Sequence, residues 1–192
     1  YDLAREEERI TKLKAMELFD TKKIDEFEVG TFKGLSKIHE FLFHKIYSFA
    51  SKIRKENIAK GNFRFVSSMY LEDVLNKIDN MPEETFEEIV KKYVEMNIAH
   101  PFREGNGRST RIWLDMILKK QLKKVIDWSK INKEDYLLAM ERSPIKDVEI
   151  MLLLKNALTS KINDRQLFMK GIDASYQYEG YFTYTMEELD KD

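Results

Sequence analysis

Apolar residues recur every three or four positions along most of the chain, the spacing of helices that bury one face. Between residues 3 and 19, Ile10, Leu13, Met16 and Leu18 share a side among Glu, Arg and Lys. A second stripe of Leu35, Ile38, Leu42, Ile46 and Phe49 predicts a buried helix from about Thr31. Further helices are expected over 71–78, from Pro82 as a first helical residue to about Ala99, and over 108–122, 133–140, 146–158 and 164–170. One stretch breaks this rhythm. Asn57-Ile58-Ala59 and Phe63-Arg64-Phe65-Val66 alternate on either side of the turn signal Lys60-Gly61-Asn62, which predicts a hairpin-like flap over 57–66. The fold class is therefore all-α, a helical bundle with one small β-hairpin flap. From Gly171 the chain is short, tyrosine-rich and polar, and reads as a separate element laid on the main body. This divides the chain into a main domain, 1–165, and a C-terminal segment, 166–192.

Composition narrows the class. With 43% hydrophobic and 35% charged residues, 7 Gly and 3 Pro among 192, the chain excludes disordered and low-complexity classes. Thirty-three Lys+Arg against 34 Asp+Glu leave a net charge of −1, so no overall positive field argues for nucleic acid or an anionic membrane. The absence of cysteine excludes disulfides, thiolate metal sites and a cysteine nucleophile. The longest apolar run, Ile150 to Leu154, is too short for a bilayer, and the charged start from Tyr1 to Arg9 lacks a signal-peptide core, so the expected location is cytoplasmic.

The chemistry is concentrated in His100-Pro101-Phe102-Arg103-Glu104-Gly105-Asn106-Gly107-Arg108-Ser109-Thr110-Arg111, between two predicted helices. Gly105 and Gly107 let backbone N–H groups approach a ligand, and the following helix presents its unpaired N-terminal donors at the same place. That is an anion cradle. Arg108 and Arg111 lie on one face of the first helical turn, where the dipole disfavours cations unless a polyphosphate is bound. Glu104 would repel such a ligand without a bridging hard cation such as Mg²⁺. His100 can take a proton from an incoming hydroxyl. These parts describe transfer of a phosphate-containing group from a nucleotide to an alcohol. No P-loop sequence and no Rossmann spacing offers another nucleotide site, and a binding module without turnover would need neither His100 nor Glu104.

The segment resembles the signature of the Fic family (filamentation induced by cAMP), H-P-F-x-[D/E]-G-N-G-R-x-x-R, with every fixed position matched, and the helical frame with an upstream flap resembles the Fic fold. The resemblance implies a protein adenylyltransferase that moves AMP from ATP to a Ser, Thr or Tyr hydroxyl of a target protein and releases pyrophosphate. It assigns His100 as general base, Glu104 as the Mg²⁺ ligand, Asn106 with the amides of Gly105 and Gly107 as the anion nest, and Arg108 and Arg111 as phosphate contacts. Ser109 and Thr110 fall within the same ATP-binding stretch, and Asn97 and Val66 are candidates to touch the nucleotide. The flap implies a docking edge for the target. A bacterial setting follows from the resemblance alone. The alternative keeps the fold and changes the chemistry, to de-adenylylation or to transfer of another phosphate-containing group.

Ser175-Tyr176-Gln177-Tyr178-Glu179-Gly180 resembles the family's inhibitory motif [S/T]-x-x-x-E-[G/N], C-terminal to the catalytic core. It is expected to form a short helix over about 175–180, capped by Ser175 and stopped by Gly180, with Glu179 in bidentate contact with Arg111. Tyr176, Tyr178, Tyr181 and Tyr184 surround it, and self-modification at one of them, or self-association holding the helix in place, would regulate the enzyme. His39 and His44 are given no catalytic role.

Overall fold

A computed structural model of the chain describes residues 2–191, which form nine α-helices and two small antiparallel ribbons. Helix α1 (Leu3–Asp20) starts where the Asp2 carboxylate accepts from the amides of Ala4 and Arg5, and α2 (Phe32–Phe43) starts under the Thr31 hydroxyl. The second helix stops six residues short of Phe49. The chain turns instead, which brings the Ser51 amide to within 3.0 Å of His39 Nδ1, a bond that a longer helix would forfeit.

The flap is a ribbon of β1 (Ala59–Lys60) and β2 (Phe63–Arg64), with Ala59 opposite Arg64 and Lys60 opposite Phe63. Helix α3 (Leu71–Asp79) follows. Helix α4 (Phe86–Ala99) begins at Phe86 and not at Pro82, because Thr85 and Glu88 form a reciprocal capping box and the Glu88 carboxylate also accepts from Glu84 N. The signature loop leads into α5 (Asn106–Leu122), then β3 (Val125–Ile126), α6 (Lys133–Arg142), α7 (Val148–Asn156), β4 (Leu158–Thr159), α8 (Arg165–Tyr178) and α9 (Met186–Asp190). Pairing of β3 with β4 forms a second ribbon that periodicity did not predict, since each strand is only two residues long.

Helix α5 is the axis of the molecule. Trp113, Leu114, Ile117 and Leu118 are all fully buried, with α2 and α4 packed along one side and α8 against another. The Trp113 indole donates to the Thr31 carbonyl at 2.9 Å, tying the axis to the start of α2.

The C-terminal expectation needs correction at the level of secondary structure. The short helix foreseen at 175–180 is the last turn of the 14-residue α8, capped at its start by Asp164; Ser175 lies inside it, and Glu179 is the C-cap. Gly180, at φ +89°, does terminate it, in the left-handed conformation that suits glycine. Met169, Ile172, Tyr176, Tyr178, Met186 and Leu189 join the same apolar core as α2, α4 and α5. The buried Lys12 ammonium fixes the tail further, reaching Glu8 at 3.1 Å, Asp173 at 3.1 Å and the Tyr184 carbonyl at 2.5 Å. No helix among the described residues is long and apolar enough to cross a membrane.

Candidate active site

His100 ends α4 in the left-handed region, φ 49° and ψ 63°, an uncommon conformation for a residue with a side chain. Pro101 cannot supply the amide that a further helical turn needs, so the chain leaves the helix here. A neighbour absent from the sequence reading holds the turn. The Arg54 guanidinium donates Nε to the His100 carbonyl (2.7 Å), one terminal nitrogen to Ala99 O (3.0 Å) and Val66 O (2.5 Å), and the other to Glu56 O (2.8 Å). One cation thereby joins the end of α4 to both sides of the flap. Val66 is held a second time, through its amide on the Ile98 carbonyl at 3.1 Å.

The Phe65 ring lies flat on the His100 imidazole, with centroids 3.7 Å apart and planes within 10°. Burial, with the Arg54 charge adding, pushes the His100 pKa down to about 3, although Glu179 pulls the other way. The ring is therefore neutral at physiological pH and able to accept a proton, and its Nδ1 is buried without a hydrogen-bond partner.

Between His100 and α5 the loop is shaped from within. The Asn106 carboxamide grips both main-chain groups of Phe102, accepting from its amide at 2.9 Å and donating to its carbonyl at 2.7 Å. Phe102 stacks on His39, centroids 3.8 Å apart. The buried His39 donates Nε2–H to the Glu104 carbonyl at 2.8 Å and accepts from Ser51 N–H at Nδ1, which fixes its tautomer. Gly105 is required here, because φ is +83° and a Cβ would stand 2.6 Å from the Phe43 ring.

Helix α5 has no side-chain cap at its start. Its first bonded amide is Ser109, which donates to the Gly105 carbonyl, so the amides of Asn106, Gly107 and Arg108 have no partner among the described residues. Three open donors at the positive end of a buried 17-residue helix make an anion site. Of the other predicted ATP contacts, Asn106 can offer its amide but not its committed side chain. The Ser109 hydroxyl is buried and donates to Gly105 O at 2.7 Å, and Thr110 is buried in the helix. Asn97 and Val66 are half-buried where α4 and the flap meet. Glu104 is exposed, and one carboxylate oxygen accepts from Gly105 N at 3.3 Å.

The two arginines have different surroundings. Arg108 is buried between the rings of Phe43, Tyr176 and Tyr181, with one terminal nitrogen on Glu7 (3.2 Å) and the other on the Tyr47 hydroxyl (3.1 Å). Tyr181 also donates its hydroxyl to Glu7, so α1 and the tail together enclose this guanidinium. Arg111 lies over the rings of Tyr136 and Tyr178 and donates Nε to Ser175 Oγ (2.7 Å), with its terminal nitrogens on Ser175 O (2.9 Å) and Tyr136 Oη (3.1 Å). Glu179 approaches it at 3.7 Å. This is a single ion-pair contact and not the bidentate one expected, because Ser175 and Tyr136 already occupy the guanidinium. Burial raises the Glu179 pKa, but the charges of Arg111, Lys60 and Arg108 outweigh it, so the carboxylate stays ionised.

The Glu179 carboxylate hangs above the start of α5. A Cβ built on Gly107 would meet Glu179 Oε2 and Arg111 Nη1 each at 2.9 Å, so glycine is what lets the pair lie against the helix. Three of the tyrosines are engaged: Tyr176 donates to Thr11 Oγ1 at 2.7 Å, Tyr178 to the carbonyls of Trp128 and Ile131, and Tyr181 to Glu7.

Sequence reasoning missed Arg54, Phe65, Glu7 and Tyr136, none of which has a local signal. His39 did carry one. It interrupts the apolar stripe of Leu35, Ile38 and Leu42, and a polar group on a buried face must find hydrogen-bond partners.

Residues 31–118 match the family model described as Fic/DOC family. The chain is 28% identical over 186 residues to the protein adenylyltransferase VbhT of Bartonella schoenbuchensis, covering 89% of this chain but only 38% of that longer protein. It is 24% identical over 143 residues to a probable protein adenylyltransferase Fic of Escherichia coli, covering 69% of this chain and 71% of the other. The crystal structure of BepC from Bartonella tribocorum, solved with bound AMPPNP, superposes with a TM-score of 0.68 over 82% of this chain and 86% of its own, at 18% identity. The Fic domain of Bep8 from a Bartonella species gives a TM-score of 0.70 at 18% identity. Fold, signature and family model agree: residues 31–118 match the Fic/DOC family model, on a helical fold similar to that of solved Fic domains.

Proposed function

We propose that this protein transfers AMP from ATP to a hydroxyl of a target protein and that its own C-terminal segment restrains it. One observation carries this reading. An intramolecular carboxylate, Glu179, stands over Gly107 at the amide-bearing start of α5, beside Arg111. An internal anion at an anion site reads as a placeholder for phosphate. Fic-family relatives are named protein adenylyltransferases, and BepC was solved with AMPPNP, which agrees with that ligand class.

In this reading the amides of Asn106, Gly107 and Arg108 receive the phosphates, with the Arg111 charge beside them. The neutral His100 imidazole takes the proton as the target oxygen bonds to the α-phosphorus and the bond to the departing pyrophosphate breaks. Positioning and charge neutralisation supply the catalysis. No group of three or more His, Cys, Asp or Glu able to cage a metal occurs among the described residues. The exposed Glu104 carboxylate still fits Mg²⁺, which is commonly bound through one or two carboxylates and the substrate's own phosphates. When bound, Mg²⁺ would neutralise phosphate charge. The short, exposed β1–β2 ribbon suits an extended target segment that pairs by main-chain hydrogen bonds. The tail, 166–192, acts as the regulatory element, and any self-association that clamps α8 would deepen the restraint and be relieved by dilution.

The test is label transfer from α-labelled and γ-labelled ATP, with Mg²⁺ in a cell lysate, by wild type, Glu179→Gly and Glu179→Gly/His100→Ala. Label from the α position alone, strong in the single variant and absent in the double, is expected. Label from the γ position, or none despite measurable ATP binding, would sink the proposal.

A further inference from the structure

Behind the Arg111–Ser175 contact lies a cavity of about 320 Å³ that the catalytic reading does not use. It opens between α1, the 23–29 turn, α5 and α8. Leu18, Phe19, Ile24, Phe27, Met116 and Phe168 are among the residues of its apolar wall, and its size is that of a small-molecule site. Two features distinguish it from a packing defect.

The first is Gly171. It lies in the middle of α8, where glycine lowers helix stability relative to alanine, and neither φ nor crowding demands it. A Cβ there would make only ordinary contact, 3.4 Å from Trp128, and the missing side chain is part of the void.

The second is the rim. Lys119, Lys120, Lys123 and Lys161 line the opening, and none makes an ion pair among the described residues; Lys119 reaches only Asn163 Oδ1, at 3.2 Å. The carboxylates nearby do not neutralise them. Asp164 caps α8, and both Asp115 oxygens accept hydrogen bonds, from Ile126 N–H and the Trp128 indole. Three carboxylates, Asp25, Asp115 and Asp164, line the cavity with four lysines, and none of them pairs with a lysine among the described residues. An apolar interior with an uncommitted cationic rim complements a molecule with an apolar tail and an anionic head.

We propose that this cavity is a binding site for an acyl carboxylate, its chain among the phenylalanines and its head on the lysine rim, and that the occupant contacts the back of the Arg111–Ser175 pair. Binding stands apart from the AMP-transfer reading; only its influence on restraint depends on that reading. Arg111 and Ser175 both line the cavity, so a bound chain shares a wall with the Arg111–Ser175 contact beside the start of α5.

Isothermal titration with decanoate, below the concentration at which it forms micelles, tests the site, with the NMR signals of the Met116 methyl and of Arg111 Nε–H as reporters. Saturable binding that shifts both signals is expected. Decanol should bind more weakly. Lys119→Glu/Lys123→Glu should weaken decanoate at least tenfold and leave decanol unchanged, and Gly171→Leu should abolish binding of both. No saturable binding, or binding indifferent to the charge reversal, overturns the proposal. The charge-reversed variant alters only exposed or half-buried side chains, so the test holds even if Gly171→Leu misfolds. A protein that binds decanoate but transfers no AMP would sink the functional reading and leave the site standing.

Discussion

Arg111 Nε is 2.7 Å from Ser175 Oγ, whereas the Glu179 carboxylate stands 3.7 Å from the same guanidinium. The residue that grips the arginine is therefore the serine, and the glutamate acts chiefly through where its charge lies. Removing the charge opens the anion site, while removing the hydroxyl only loosens the arginine. Glu179→Gly should raise AMP transfer by at least about tenfold, equivalent to about 1.4 kcal/mol at the transition state. Ser175→Ala, which keeps the main-chain acceptor, should raise it by less, in keeping with one hydrogen bond of about 1 kcal/mol. Initial rates with α-labelled ATP check both. Equal activation by the two would show that the serine grip, and not the charge, is the restraint.

Arg54 reaches four carbonyls from a planar fork, which an ammonium cannot reproduce. Arg54→Lys should cost about 3 kcal/mol of stability, since hydrogen bonds from a charged donor contribute more than neutral ones. It should also lower transfer in the Glu179→Gly background by at least about tenfold by freeing His100 and the flap together. Thermal melts and rates report the two effects separately. A variant that is less stable but fully active at low temperature would demote Arg54 to a purely structural role.

Gly105→Ala places a Cβ 2.6 Å from Phe43 at φ +83°, so it meets both a clash and a backbone penalty. A loss of about 3 kcal/mol is expected. Gly61→Ala in the flap is the control: it too has positive φ but has nothing within 4 Å, so it should cost about 1 kcal/mol. Urea unfolding of both variants measures the difference.

His39 is fully buried, and burial lowers its pKa to about 4. The unfolded chain takes up a proton near the ordinary histidine value of about 6.5, while the folded protein does not until about 4. Stability from this residue is thus fully present above about pH 6.5 and falls as pH drops toward 4, by about 3 kcal/mol in all. His39→Gln should flatten that part of the stability–pH curve, measured by urea unfolding between pH 7 and pH 4. An unchanged slope would place the acid sensitivity elsewhere.

Much of this was legible in the sequence because the signature is contiguous. His100, the glycines and both arginines lie within twelve residues, and the helices beside them show ordinary periodicity. Contacts that join distant segments left no local trace. Arg54 reaches the end of α4 across 46 positions, and Glu7 reaches Arg108 across 101. The helix predicted over 164–170 runs on to Tyr178, because Gly171, which favours a helix end, remains helical inside α8.

Under the proposed restraint, the anchoring of the tail would also set how it is released. Tyr176 and Tyr178, one either side of Gln177, are almost wholly buried with bonded hydroxyls, and Lys12 clamps the chain beyond them. Detaching the segment would expose both rings at once, a cost that makes such openings rare. Glu179 lies just past these anchors, its side chain still 22% exposed. It can leave the start of α5 by turning about its own bonds, which requires no unfolding of the segment. Under the proposed function, competition between this glutamate and ATP would then require no detachment of the segment, so the restraint would behave as an occupancy set by concentration and not as a gate that must unfold.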